Sequence, residues 1–312
     1  MPISHTPTQN PESALPKEKK KSEASFRVME PQYSLEDVVL PISTRKEVED
    51  AISLAENSDL IFNDWGLGQV IKHHNLCVNL YGASGTGKTM TAHGIAKRLN
   101  KKLVVVNYAE IESKYVGETS KNIVSLFEYA EKNDAVILFD EADAMLSKRV
   151  TSIQSAADIS VNQTRNTLLK ILDEYTGIVV FTTNFIQNFD PAFFRRILSH
   201  IKFEVPNEDT RRKIWDHYLP PTLPLLDRDS TIRGIAKIEN VTGADISNTV
   251  LKAAIKAARY KERITLEDIS TLVSQIIEAK QDMEEKYEIT TRKVSAEYAM
   301  KQLGGEKEHG DN

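Results

Sequence analysis

GASGTGKT, residues 82–89, fills the pattern G-x-x-x-x-G-K-[ST] at every position. Gly82, Gly85 and Gly87 let the backbone curl so that successive N–H groups converge on phosphate oxygens, a concavity that side chains would block. Lys88 is then placed to reach β- and γ-phosphates. Thr89 offers a hydroxyl to Mg2+, and the N-terminus of the following helix adds partial positive charge. The flanking text supports this reading on both sides. Leu76 to Tyr81 (LCVNLY) is a strand-length, mostly apolar run, and Met90, Ala92, Ile95, Ala96 and Leu99 recur at helical spacing.

Around this centre, the 312-residue chain is 40% hydrophobic, enough to bury one large or two modest cores. A formal net charge of -5 argues against a strongly basic surface, so nucleic acid is not expected as a partner. The single cysteine, Cys77, falls inside the strand before the loop, which excludes an intrachain disulfide and a Cys-rich metal site. Apolar runs such as Leu103 to Val106 and Ile178 to Phe181 are far shorter than the roughly 18 residues of a membrane helix. The polar N-terminus carries no apolar signal region, so a cytoplasmic protein without a membrane partner is expected.

Residues 1–31 are polar and proline-containing, with KEKKK at 17–21, and are expected to form a disordered tail. Ordered structure is expected from SLEDVVLP onward, where Ser34 and Asp37 stand at capping-box spacing, followed by a helix from Ser43 to Ala55. His73 and His74 have no ligand partners at metal spacing and read as loop histidines. After the loop helix come strands at 103–108, 135–139, 178–183 and Ile201 to Val205. Helices intervene near 120–132 and over Leu168, Ile171, Leu172 and Tyr175. This alternation predicts an α/β domain over 32–206, with a five-stranded parallel sheet between helices. From 207 the strand pattern stops. Ile214, Trp215 and Tyr218, then Ile232 and Ile235, then Ile246, Val250, Ala253 and Ala257 predict a smaller all-helical domain over 207–280. Its last helix opens at a capping box, Thr265 to Asp268, and 281–312 is a charged, partly helical tail.

The strand AVILF runs into Asp140-Glu141-Ala142-Asp143, an acidic cluster at the carboxyl end of a parallel strand, where ligands of α/β sheets bind. Asp140 is the candidate for the Mg2+ shell. Glu141 is the candidate general base toward water, so hydrolysis and not only binding is implied.

With these motifs in order from about Ser34 to Ala279, the chain resembles the AAA family of P-loop ATPases, in a form with a single ATPase module. Its FDPAFFRRI stretch is similar to bacterial-type and severing-enzyme members. The resemblance implies an ATP and Mg2+ site formed by Gly82, Ser84, Gly85, Thr86, Gly87, Lys88, Thr89, Met90 and Asp140. Asn184, at the end of IVVFTT, matches the family's polar residue that orients water. Arg195 and Arg196 match the region whose arginine enters a neighbouring subunit's site, and the family pattern favours Arg195. The commoner Gly-Arg pair after them is replaced here by Ile197, Leu198, Ser199 and His200. SKYVGE, 113–118, is similar to the pore loop of protein-translocating members, with Tyr115, Val116 and Gly117 facing a central channel. A second channel loop is expected between Ser147 and Ser160. TGADIS, 242–247, resembles the lid segment that closes over the base, with Gly243 and Ala244 in contact. Val38 and Val39 are the candidates for the opposite wall.

The resemblance further implies a homo-oligomer, a hexameric ring, acting on a protein substrate by remodelling, unfolding or translocation. Two alternatives stand beside it: an ATPase switch that controls a separate effector such as a peptidase or nuclease, and a DNA-associated loader. No guanine-reading [NT]-K-x-D follows the fourth strand, which speaks against a GTPase.

Overall fold

In a computed structural model the described residues are 26–71, 75–107, 118–147, 156–184 and 189–283. Seven of the chain's elements build a sheet and the helix that follows its phosphate loop. The strands are β1 (Val28–Met29), β2 (Leu76–Gly82), β3 (Lys102–Asn107), β4 (Ala135–Asp140), β5 (Ile178–Thr183) and β6 (Ser199–Phe203), and helix α2 (Lys88–Arg98) follows β2. The order across the sheet is β1-β3-β4-β5-β2-β6. Strands β2 to β6 run parallel. The sequence accounts for these five. The sixth strand differs from expectation, because Val28 and Met29 lie in the stretch read as tail. They pair antiparallel with Val104 and Leu103 on the open edge of the sheet. Two residues are too few to leave a periodic signal, and only the exposed edge of β3 gives them partners.

Both faces of the sheet are covered, which is why its strands read as continuous apolar runs. On one face, Val104, Ile137, Phe139, Val179 and Phe181 pack under Ile123 and Leu126 of α3 (Glu118–Lys132) and Leu168 and Leu172 of α5 (Ala156–Glu174). The short α4 (Asp143–Leu146) precedes α5. On the other face, Val78, Leu80, Leu138 and Val180 pack under Val48 and Ile52 of α1 (Ile42–Glu56) and Ala92, Ile95 and Ala96 of α2. Cys77 is fully buried, and burial raises its thiol pKa far above the ordinary range, so it is inert.

After β6 the chain is helical. Helices α7 (Glu208–Tyr218), α8 (Arg228–Ile235), α9 (Gly243–Tyr260) and α10, spanning 266–283, surround a separate core of Trp215, Ile235, Ile246, Ile269 and Val273. The capping boxes expected at Ser34–Asp37 and Thr265–Asp268 form, and a further one, not anticipated, forms at Thr242. Asp245 closes the start of α9 with Thr242, and Thr265 with Asp268 closes α10. No helix among the described residues is long and apolar enough to cross a membrane.

Gly82 is required by the sheet itself. Its φ is +137°, and a Cβ there would stand 2.1 Å from the Phe203 carbonyl oxygen of the adjacent strand. Gly82→Ala is therefore expected to lower unfolding stability by about 2 to 4 kcal/mol, measured by chemical denaturation.

Candidate functional site

The strand order sets the site. Strand β2 lies between β5 and β6; the chain leaves it for β3, beyond β5 and β4, steps back through β4 and β5, and then crosses β2 to form β6. The carboxyl ends of β2, β4 and β5 therefore open into a crevice at the point where the order reverses. A cleft of about 370 Å3 lies there. It is lined by Ser84, Gly85, Thr86, Gly87, Lys88, Thr89 and Met90, by Asp140, Glu141 and Asn184, and by Val38, Val39, Gly243 and Ala244. Residues spread over two hundred positions of sequence thus meet in one cavity.

Lys88 is the first residue of α2 and is 8% exposed. Its Nζ donates to the carbonyl oxygens of Gly82 (2.7 Å) and Ala83 (2.8 Å) and to Asn184 Oδ1 (3.0 Å). Burial lowers its pKa, and the carboxylates of Asp143, Asp140 and Glu141 oppose that shift. Thr89 Oγ1 donates to Asp140 Oδ1 at 2.9 Å, so a hydroxyl and a carboxylate, both hard oxygen donors, stand side by side at the helix N-terminus. That donor set fits Mg2+, which takes one or two protein oxygens plus phosphate and water. The Asn184 backbone N–H is held by both carboxylate oxygens of Asp143, at 3.0 and 3.2 Å. Glu141 is exposed to the cleft, with a left-handed backbone (φ +53°) that turns the chain sharply at the end of β4.

The helical domain closes the cleft directly onto the glycine loop. The N–H of Ala244 donates to the Gly85 carbonyl at 3.2 Å, and a Cβ on Gly85 would meet Thr242 Oγ1 at 2.7 Å and Ala244 Cβ at 2.8 Å. On the opposite wall, Arg45 Nη2 donates to the carbonyls of Leu35 (2.9 Å) and Val38 (2.7 Å), which fixes the turn carrying Val38 and Val39. Arg211, 5% exposed, spans the junction, donating to Pro206 O at 2.7 Å and Ala236 O at 2.8 Å.

Arg195 and Arg196 have different surroundings. Arg196 forms two 2.8 Å bonds with the carboxylate of Asp173 in its own domain. Arg195 is exposed, its Nε donating only weakly to Pro191 O at 3.3 Å. Asp190 caps the turn that precedes them, accepting from Ala192 N at 2.8 Å. Neither arginine lines the cleft of its own chain.

Tyr115, Val116 and Gly117 lie outside the described residues, as do His73 and His74. So do 148–155 of the expected second channel loop, which also ends earlier than expected because α5 begins at Ala156. The sequence reading missed Thr182, Thr183, Pro206, Thr210, Ile214, His217, Tyr218, Ser247 and Asn248, all of which line the cleft. In α7 the helical stripe was legible, but it divides: Trp215 goes fully into the helical core, Ile214 and Tyr218 pack on that core and also line the cleft, and His217 lines the cleft alone.

Residues 78–205 match the ATPase family associated with various cellular activities (AAA), a family that binds nucleotide. Among curated relatives, the proteasome-activating nucleotidase of Methanothermobacter thermautotrophicus is 30% identical over 285 residues, covering 88% of this chain and 67% of the relative. The enzyme of the same name from Methanococcus maripaludis is 29% identical over 275 residues, 84% of this chain and 65% of its own. The 26S proteasome regulatory subunit 8 homolog of Schizosaccharomyces pombe is 30% identical over 241 residues, 74% and 58% respectively. The chain thus spans between 58% and 67% of the length of these three relatives.

The lid contact gives a direct expectation. Gly85→Ala should weaken binding of a fluorescent ATP analogue by about tenfold or more, roughly 1.4 kcal/mol, because the new methyl group displaces Thr242 and Ala244. Equilibrium titration checks it.

Proposed function

This chain belongs to the AAA family of ATPases, and we propose that it hydrolyses ATP in this cleft, as a ring of identical subunits, to unfold or translocate a protein substrate. The observation that carries the reading is the convergence of Lys88, Thr89, Asp140, Glu141 and Asn184 in one cleft that the helical domain closes. Bound ATP with Mg2+ supplies the phosphoanhydride to be cleaved and part of the charge that neutralises its oxygens.

The chain's own residues do the rest. Lys88 exchanges its bonds to Gly82 O and Ala83 O for β- and γ-phosphate oxygens, which removes the need to satisfy its ammonium with backbone carbonyls. Thr89 and Asp140 would hold the cation. Glu141 accepts a proton from the attacking water, and Asn184, whose Oδ1 already stands 3.0 Å from Lys88 Nζ, orients that water against the γ-phosphate. Val38, Val39, Met90, Gly243 and Ala244 enclose the base and ribose.

Arg195 is the arginine offered to the adjoining subunit. Arg196 is committed to Asp173, whereas Arg195 is exposed and free to reach an anion. A cation arriving from outside would complete the stabilisation of charge on the transferring phosphoryl group. A site shared head to tail closes into a ring, and six subunits is the number that the family resemblance implies. Tyr115, Val116 and Gly117 would face its channel, gripping an extended polypeptide. The relatives' names, which describe proteasome activation, support a protein substrate delivered to a proteolytic partner, and the proposal includes a cytoplasmic location.

Glu141→Gln is expected to retain ATP binding while lowering turnover by at least about a hundredfold, read by phosphate release and nucleotide titration. An enzyme that keeps normal turnover would remove Glu141 from the role of base. Arg195→Ala subunits mixed with Lys88→Ala subunits should regain part of the activity that each lacks alone, because intact composite sites re-form at mixed interfaces. Absence of recovery at every ratio in confirmed assemblies counts against the shared site.

A further inference from the structure

Thr182 holds the acidic turn from beneath. It is the fifth residue of β5, 2% exposed, and no motif in the sequence singles it out. Its Oγ1 donates to Asp140 Oδ1 and accepts the backbone N–H of Glu141 at 3.0 Å. Its main-chain carbonyl accepts the N–H of Ala142 at 2.8 Å. One residue therefore grips Asp140 by its carboxylate, Glu141 by its amide, and the residue after Glu141 by its amide. A hydroxyl has one proton and two lone pairs, so its gift to Asp140 leaves a lone pair aimed at Glu141.

The grip falls where the backbone needs it. Glu141 takes φ +53°, a conformation that residues with a Cβ rarely adopt and that persists only when the surroundings over-determine it. Amides on both sides of the Glu141 Cα end on the same threonine, so rotation about φ or ψ breaks at least one bond in a buried place. The same hydroxyl shares Asp140 Oδ1 with Thr89 Oγ1, which ties the Glu141 backbone to the oxygen pair at the start of α2.

We infer that Thr182 is a positioning residue for ATP hydrolysis: its hydroxyl couples the Asp140 carboxylate to the strained Glu141 backbone and sets the direction of the Glu141 side chain. The inference rests on the assignment of Glu141 as base. Thr182→Val keeps shape and strand preference while removing the hydroxyl, and Thr182→Ser restores it.

In full-length protein, T182V is expected to lower kcat by about tenfold or more with KM and ATP affinity changed less than about twofold, whereas T182S stays near wild type. Thr182→Ala carries the same test should T182V fail to fold. Single-turnover hydrolysis by E141Q/T182V should be no slower than by E141Q alone, since Thr182 acts through Glu141. A T182V enzyme within about twofold of wild-type kcat, while E141Q is inactive, overturns the clamp alone. Equal losses in affinity and kcat, or additive losses in the double variant, overturn it in favour of a merely structural threonine. If E141Q itself turns over normally, the underlying assignment of the base fails, and the clamp with it.

Discussion

A buried ammonium governs the arrangement of this protein. Lys88 is 8% exposed, and a cation taken out of water is tolerated only where its three donors all find acceptors. Two of those acceptors are carbonyls of the glycine loop and the third is the side-chain oxygen of Asn184 at the end of β5. Asp143 in turn fixes the Asn184 backbone and adds negative charge, together with Asp140 and Glu141. Loop, strand end and acidic turn are thereby joined through a single side chain. Phosphate oxygens can replace the two carbonyls without changing the number of bonds that the ammonium makes, so the resting arrangement is already shaped for an anion.

The second organising contact joins the two cores. The helical domain has its own buried cluster around Trp215, yet its α9 N-terminus is hydrogen-bonded to Gly85 O. Arg211 bridges the junction by holding Pro206 on one side and Ala236 on the other. Anything seated between the glycine loop and the lid must therefore bear on the angle between the domains. That is a direct physical route from occupancy of the cleft to movement of the helical domain.

The two arginines after α6 (Pro191–Phe194) illustrate what a local motif leaves undistinguished. Their adjacency makes them equivalent in sequence. In the fold, one side chain turns inward to a bidentate bond with Asp173, 23 positions away, and the other stays in solvent. Which arginine can leave its own domain is a property of the packing of α5 against that turn.

Much of this molecule is written locally. The five parallel strands are apolar runs because both faces of the sheet are covered, the glycine loop is announced by its spacing, and the Asp140-Glu141 pair follows an unmistakable strand. Capping boxes at Thr242 and Thr265 mark where helices begin, since a hydroxyl and a carboxylate three residues apart satisfy amides of the same turn. Contacts between distant segments decided the remainder. The edge strand Val28–Met29 exists only because β3 has an open side, and a carbonyl of β6 leaves no room for a Cβ at Gly82. The cleft-facing side of α7 is separated from its core-facing side only when the lid is in place. Thr182 became visible last, because a threonine in an apolar strand has no periodicity of its own. Its role comes from the register that sets β5 beside β4, and so places one hydroxyl between Asp140 and Glu141.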